Sequence, residues 1–141
     1  MNRSAKAPTF DLGALLHAAY AAEGEVESKL SEAGLSLAKL AALSALADAG
    51  ESLPLTQLAE RLACVKSNIT QLVDRLEADG LVTRQSDPGD RRTKLAVLTP
   101  AGRRTHRDGS RIRAEAEHRL SGKLSAGEAQ QLAALLAKVG G

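Results

Sequence analysis

Between Leu53 and Gly102 the apolar residues change their period, and that change constrains the fold more than any other feature of the chain. Leu55, Leu58, Ala59 and Leu62 fall at i, i+3, i+4 and i+7, as do Ile69, Leu72, Val73 and Leu76, so two short helices follow one another across a tight connection. Gly80 after Asp79 is a helix stop. Leu81-Val82-Thr83-Arg84-Gln85 and Lys94-Leu95-Ala96-Val97-Leu98 then read as paired strands, and Ser86 to Arg92 between them holds a Pro88-Gly89 turn, with Asp90-Arg91-Arg92 at the hairpin tip. Thr99 with Pro100 opens a further helix, because a proline in the first turn forfeits no helical hydrogen bond. The order is that of a winged helix-turn-helix.

The remaining chain predicts more helix. Residues 1–9 read as a flexible N-terminal tail. A long first helix carries Leu12, Leu15, Leu16, Ala19, Val26 and Leu30 near one face and ends at Gly34. Ser36 caps a second helix with Leu37, Leu40, Leu43, Leu46 and Ala47 turned to a core, and residues 51–54 make a turn. The fifth helix is unusually polar through Arg103, Arg104, His106, Arg107 and Asp108, and Gly109 inside it costs about 1 kcal/mol relative to Ala, which leaves open a bend or a weakened first half. Ser125 and Glu128 spell a capping box for a last helix with a stripe of Leu132, Leu135, Leu136 and Val139. That stripe packs against the first helix, in the same chain or in a partner. The fold class is thus mostly α with a small β-wing.

Charge and composition select among functions. The net charge of +2 over 141 residues is small, but residues 1–60 hold 4 basic and 8 acidic side chains, whereas residues 61–113 hold 12 and 6. The basic excess sits on the helix-turn-helix and the helix after it, as a polyanion partner would require. With Phe10 and Tyr20 the only aromatics, a stacking platform for single strands cannot be built, which favours duplex DNA. His17, His106 and His118 are scattered, and neither metal-ligand spacing nor a phosphate-binding loop is present, so no enzyme, metal or cofactor is expected. The single cysteine, Cys64, cannot form an internal disulfide, and no secretory or membrane-spanning pattern is found, which fits a cytoplasmic protein.

The helix of Ile69 to Leu76 turns Ser67, Gln71, Asp74 and Ala78 away from its apolar side, with Asn68, Thr70 and Arg75 on the flanks. Amides and hydroxyls of this kind match the donor and acceptor edges of base pairs, although any solvent-facing helix is polar. Adjacent arginines at the hairpin tip can reach phosphates or a narrow minor groove. The plainer reading, a solvated turn held by an Asp-Arg pair, offers only about 0–1 kcal/mol.

Leu58-Ala59-Glu60-Arg61-Leu62, Thr70 to Glu77, Asp79-Gly80-Leu81-Val82-Thr83-Arg84, Asp90-Arg91-Arg92 and Leu98-Thr99-Pro100-Ala101-Gly102, in this order and spacing, resemble MarR-type transcriptional regulators. The resemblance implies a six-helix subunit in which residues 36–99 form the winged helix-turn-helix and residues 10–35 and 100–141 supply dimerisation helices. It makes the helix from Cys64 or Val65 to Asp79 the recognition helix, with Ser67, Asn68 and Gln71 facing bases and Lys66, Thr70 and Arg75 nearby. Arg92 would enter the minor groove, Arg91 would brace the wing or touch phosphate, and Asp90 completes the DNA-binding set. Val65 stands where such proteins often carry a capping Ser, a loss of roughly 1 kcal/mol that moves the expected helix start. Cys64 is a buried small hydrophobe on one reading and a redox switch on the other, since a helix N-terminus and Lys66 could lower its pKa. The function expected from the resemblance is a dimeric repressor that binds an inverted-repeat operator and answers to a small molecule or an oxidant. The alternative is a winged-helix module for nonspecific DNA binding or protein interaction, without effector response.

Overall fold

The computed structural model describes residues 11–62 and 68–141. The elements run α1 (Leu12–Glu32), α2 (Leu37–Asp48), β1 (Ser52–Pro54), α3 (Leu55–Arg61), α4 (Ile69–Ala78), β2 (Val82–Asp87), β3 (Asp90–Leu98), α5 (Pro100–Ser121) and α6 (Ala126–Gly140). The N-terminal tail expected over 1–9, and the positions expected for Cys64, Val65, Lys66 and Ser67, lie outside the described residues.

Local chemistry sets the helix ends. Ser36 Oγ accepts from Lys39 N (3.1 Å), Thr99 Oγ1 from Gly102 N (2.9 Å), and Ser125 Oγ from Glu128 N (3.1 Å) while Glu128 Oε1 accepts from Ser125 N (2.9 Å). Each bond satisfies an amide that the first helical turn leaves without a partner. Glu27 reaches from α1 to the Leu37 amide and fixes the corner between α1 and α2. Gly80 takes φ 73° directly after α4, a conformation that a side chain would disfavour.

The core gathers beneath the helix-turn-helix. Leu30, Leu40, Leu43, Leu46, Leu58, Leu76, Val73 and Val82 are fully buried and draw on α1, α2, α3, α4 and the foot of the hairpin. Each such side chain contributes about 1.5–3 kcal/mol on leaving water, so this cluster is the main source of stability.

Two features differ from the sequence reading, and two more bear on questions that it left open. The segment 51–54 is not a turn alone: Ser52, Leu53 and Pro54 pair with Val97, Ala96 and Leu95, which makes a three-stranded antiparallel sheet of order β1-β3-β2. An edge strand of three residues is too short to leave an alternating pattern. The hairpin is longer than expected, so that Asp90 to Arg92 belong to β3. α5 is one continuous helix despite Gly109, which is buried where a Cβ would lie 2.7 Å from Leu35 Cδ1 and 2.8 Å from Leu40 Cδ1. The glycine lets α5 close on α2 instead of bending it. Finally, the first half of α1 is uncovered: Leu12 and Leu16 are each 59% exposed and Tyr20 81%, and only Val26 and Leu30 of that helix are buried. The apolar stripe of α6 is likewise exposed, and no residue of that helix is buried within the chain.

The start of α5 is fastened to the reading head at several points. Thr99 N donates to Leu81 O (3.1 Å), Thr99 Oγ1 to Gly80 O (2.7 Å), and Arg103 Nη1 meets Glu51 Oε2 at 2.6 Å.

Candidate nucleic-acid interface

The described part of α4 begins at Ile69, later than the Cys64 or Val65 start expected from the sequence. Asn68 supplies the cap: its Oδ1 accepts from Thr70 N (3.0 Å) and Gln71 N (3.4 Å). Its oxygen is therefore engaged in the helix start, and its amide nitrogen is the part left to face a ligand. Leu72, Val73 and Leu76 are buried, whereas Thr70, Gln71, Asp74 and Arg75 are exposed, so the face derived from a 100° turn per residue is the outward one. Asn68, Gln71 and Arg75 also line a shallow cleft with Ser36, Ala38 and Lys39 at the start of α2. The sequence reading did not include α2 in the site.

The wing presents its arginines by an irregularity in the ladder. Pairing runs regularly from Val82↔Leu98 to Ser86↔Lys94 and then shifts to Asp87↔Asp90, leaving Arg91, Arg92 and Thr93 without partners across the hairpin. They form a bulge, which re-aims side chains out of the sheet. Asp90 shapes it: Oδ1 accepts from Arg92 N (3.0 Å) and Oδ2 from Thr93 Oγ1 (3.2 Å). Asp87 Oδ1 closes the turn from Gly89 N (2.9 Å). Asp90 thus builds the wing, and the exposed Arg91 and Arg92 have no carboxylate partner among the described residues.

Two ion-pair systems that periodicity did not reveal join these parts. Lys39 Nζ lies 2.8 Å from Asp79 Oδ2, which ties α2 to the end of α4. Arg84 of β2 reaches α4 three times: Nη2 meets Asp74 Oδ1 (2.6 Å) and donates to Thr70 O (3.3 Å), and Nη1 meets Glu77 Oε1 (3.1 Å). Its backbone amide donates to Glu77 Oε2 (3.0 Å). Hydrogen bonding to Asp74, assisted by Glu77, holds the guanidinium above its ordinary pKa. The signal in the sequence was present as Asp74 and Glu77 at i, i+3 on one helix face, followed by an arginine in the next strand.

A capped helix beside a basic bulge on an antiparallel hairpin defines the winged helix-turn-helix class. A model of the MarR family matches residues 33–93. The chain shares 30% identity with a probable transcriptional regulator from Pseudomonas aeruginosa, covering 92% of this chain and 96% of that one with a TM-score of 0.76. It shares 25% identity with a cysteine-to-serine mutant of MarR from E. coli in complex with operator DNA, covering 91% and 92% with a TM-score of 0.78. The chain spans about half the length of the curated relatives it matches; for YkoM, an uncharacterised HTH-type transcriptional regulator of Bacillus subtilis, 37% identity over 86 residues covers 61% of this chain and 56% of that one. The chain belongs to the MarR family, a family of transcriptional regulators rather than enzymes.

Proposed function

We propose that this protein is a dimeric, sequence-specific repressor that reads an inverted-repeat operator in duplex DNA, in the bacterial cytoplasm. The observation that carries the reading is the placement of two complementary surfaces, the outward face of α4 and the wing bulge, on one head. The exposed Thr70, Gln71 and Arg75 of α4 offer hydrogen-bonding groups of the kind that read base edges, and the wing bulge offers two cations without carboxylate partners among the described residues. Lys66 and Ser67, which precede the described part of α4, belong to the same proposed surface. Arg92 is assigned to the minor groove and Arg91 to phosphate.

The dimer is supported by apolar surface without a partner. Leu12, Leu16 and Tyr20 on α1 and Leu132, Leu135, Leu136 and Val139 on α6 are exposed, more than a soluble monomer usually leaves on its two terminal helices. Two heads about 34 Å apart would enter successive major grooves on one side of the duplex. A small molecule would release the operator by binding more tightly to a dimer whose heads have the wrong spacing, because only differential affinity shifts such an equilibrium, whereas an oxidant would act by oxidising a side chain. Cys64 is the residue that an oxidant would meet in this scheme.

Operators selected from genomic fragments test the reading. The full chain should prefer one inverted repeat over bulk DNA by roughly 10³-fold or more at physiological salt. Arg92→Ala should weaken that binding by about tenfold or more, whereas Gln71→Ala should change which sequence is preferred. Equal affinity for competitor DNA would identify a nonspecific packaging module instead.

A further inference from the structure

We propose that Arg84 is a positioning residue that holds the wing in register with α4, so that Arg92 reaches DNA only while Arg84 is clamped between Asp74 and Glu77. This deepens the function proposed above and rests on it.

The apolar attachment of the wing ends low on the hairpin. Leu81, Val82, Ala96 and Leu98 are buried, and β1 braces β3 only along Leu95 to Val97. From Gln85 to the turn, β2 makes no hydrogen bond or ion pair to α4 among the described residues. Arg84 is thus the last tie between hairpin and helix before the tip. Past Gln85 and Leu95, where β1 ends, only two strands continue, a ribbon that twists readily, with Leu55 and Thr56 at the start of α3 beside Arg92 to Lys94. At about 3.3 Å per residue, the arginine-bearing bulge lies on the order of 10 Å past that tie.

The tie is well built for direction. Its planar guanidinium meets two carboxylates and a carbonyl, and the backbone amide of the same residue meets the second oxygen of Glu77. The contacts extend along α4 from Thr70 to Glu77, two helical turns, so they resist both rocking and sliding of the strand. A fork of fixed geometry confers orientation in a way that a single lysine contact does not. The side chain is only 25% exposed, which shields these bonds from water. Asp74, 59% exposed on the outward face, gains a counter-charge there that it would otherwise lack when facing phosphates.

A double-mutant cycle on the full chain and its selected operator tests the proposal. In the wild-type background Arg92→Ala should weaken binding by about tenfold or more. In the Arg84→Ala background the same change should cost less than about twofold, because the wing no longer delivers Arg92. An equal factor in both backgrounds overturns the positioning role, as expected if Arg84 acts only on global stability. No effect of Arg92→Ala in wild type overturns the wing reading of the proposed function, and this inference with it. The Asp74→Asn/Glu77→Gln chain supplies a second background that keeps Arg84 and adds positive charge. Charge alone predicts tighter binding with the Arg92 factor intact; loss of that factor supports the clamp.

Discussion

Gly102 decides how closely α5 approaches the wing. A Cβ at that position would lie 2.1 Å from the backbone oxygen of Leu81, whereas a Cβ at Gly109 would meet only the tips of Leu35 and Leu40. Leucine tips can turn aside and a backbone carbonyl cannot, so the two alanine substitutions should differ in severity. For Gly109→Ala, a helix-propensity gain of about 1 kcal/mol offsets part of an overpacking cost of about 1–3 kcal/mol. Urea denaturation should therefore show a net loss on the order of 1 kcal/mol for Gly109→Ala and a larger one for Gly102→Ala. Equal midpoints for the two variants would refute the assignment. At this scale the sequence reveals residue type more readily than residue task. Propensity assigned Gly109 the cost of a helix interruption but could not show which leucines face it. The vacant capping place at Val65 was visible, yet Asn68 suits a cap and a base edge equally, and only the fold distinguishes the two.

Helices were legible as elements because their signals are local. Ser36, Thr99 and Ser125 each cap the helix that the sequence assigns to them. β1 and the extent of the wing were not, since the pairing of β1 depends on residues more than 40 positions away. The capping box of α6 matters more than most, because among its residues none is buried within the chain. The backbone amide of Ser125, and then its hydroxyl, hold the Glu128 carboxyl below its ordinary value of 4.5. A depressed carboxyl stabilises the fold above the unfolded-state value and loses that contribution as pH falls through the folded value. The amide resonance of Ser125 should accordingly titrate with a midpoint under 4.5, and Glu128→Ala should remove the step and lower the helicity of α6 at neutral pH. A pH-independent Ser125 resonance in the wild type would count against the box.

At the scale of the molecule, the helical frame was read correctly as helices and incompletely as surfaces. Periodicity shows which residues share a face, but not whether that face is covered by its own chain. The stripe of α6 left both possibilities open, and the structure leaves Leu135 51% exposed within the chain. Replacing Leu135 and Leu136 with Glu should convert the proposed dimer to monomer in sedimentation experiments, while the thermal transition of the head persists. A sedimenting dimer in that variant would place the interface elsewhere. The fastening of Thr99 and Gly102 to the foot of the wing, and of Arg103 to Glu51 before β1, has a mechanical consequence for such a dimer. The 22 residues of α5, at about 1.5 Å each, make a rod of about 33 Å that swings together with its head. A tilt of roughly 5° at the far end carries the head by about 3 Å, close to the 3.4 Å step between neighbouring base pairs. In the proposed dimer, a disturbance too slight to count as refolding would thus be amplified into a mismatch of about one rung of the DNA ladder.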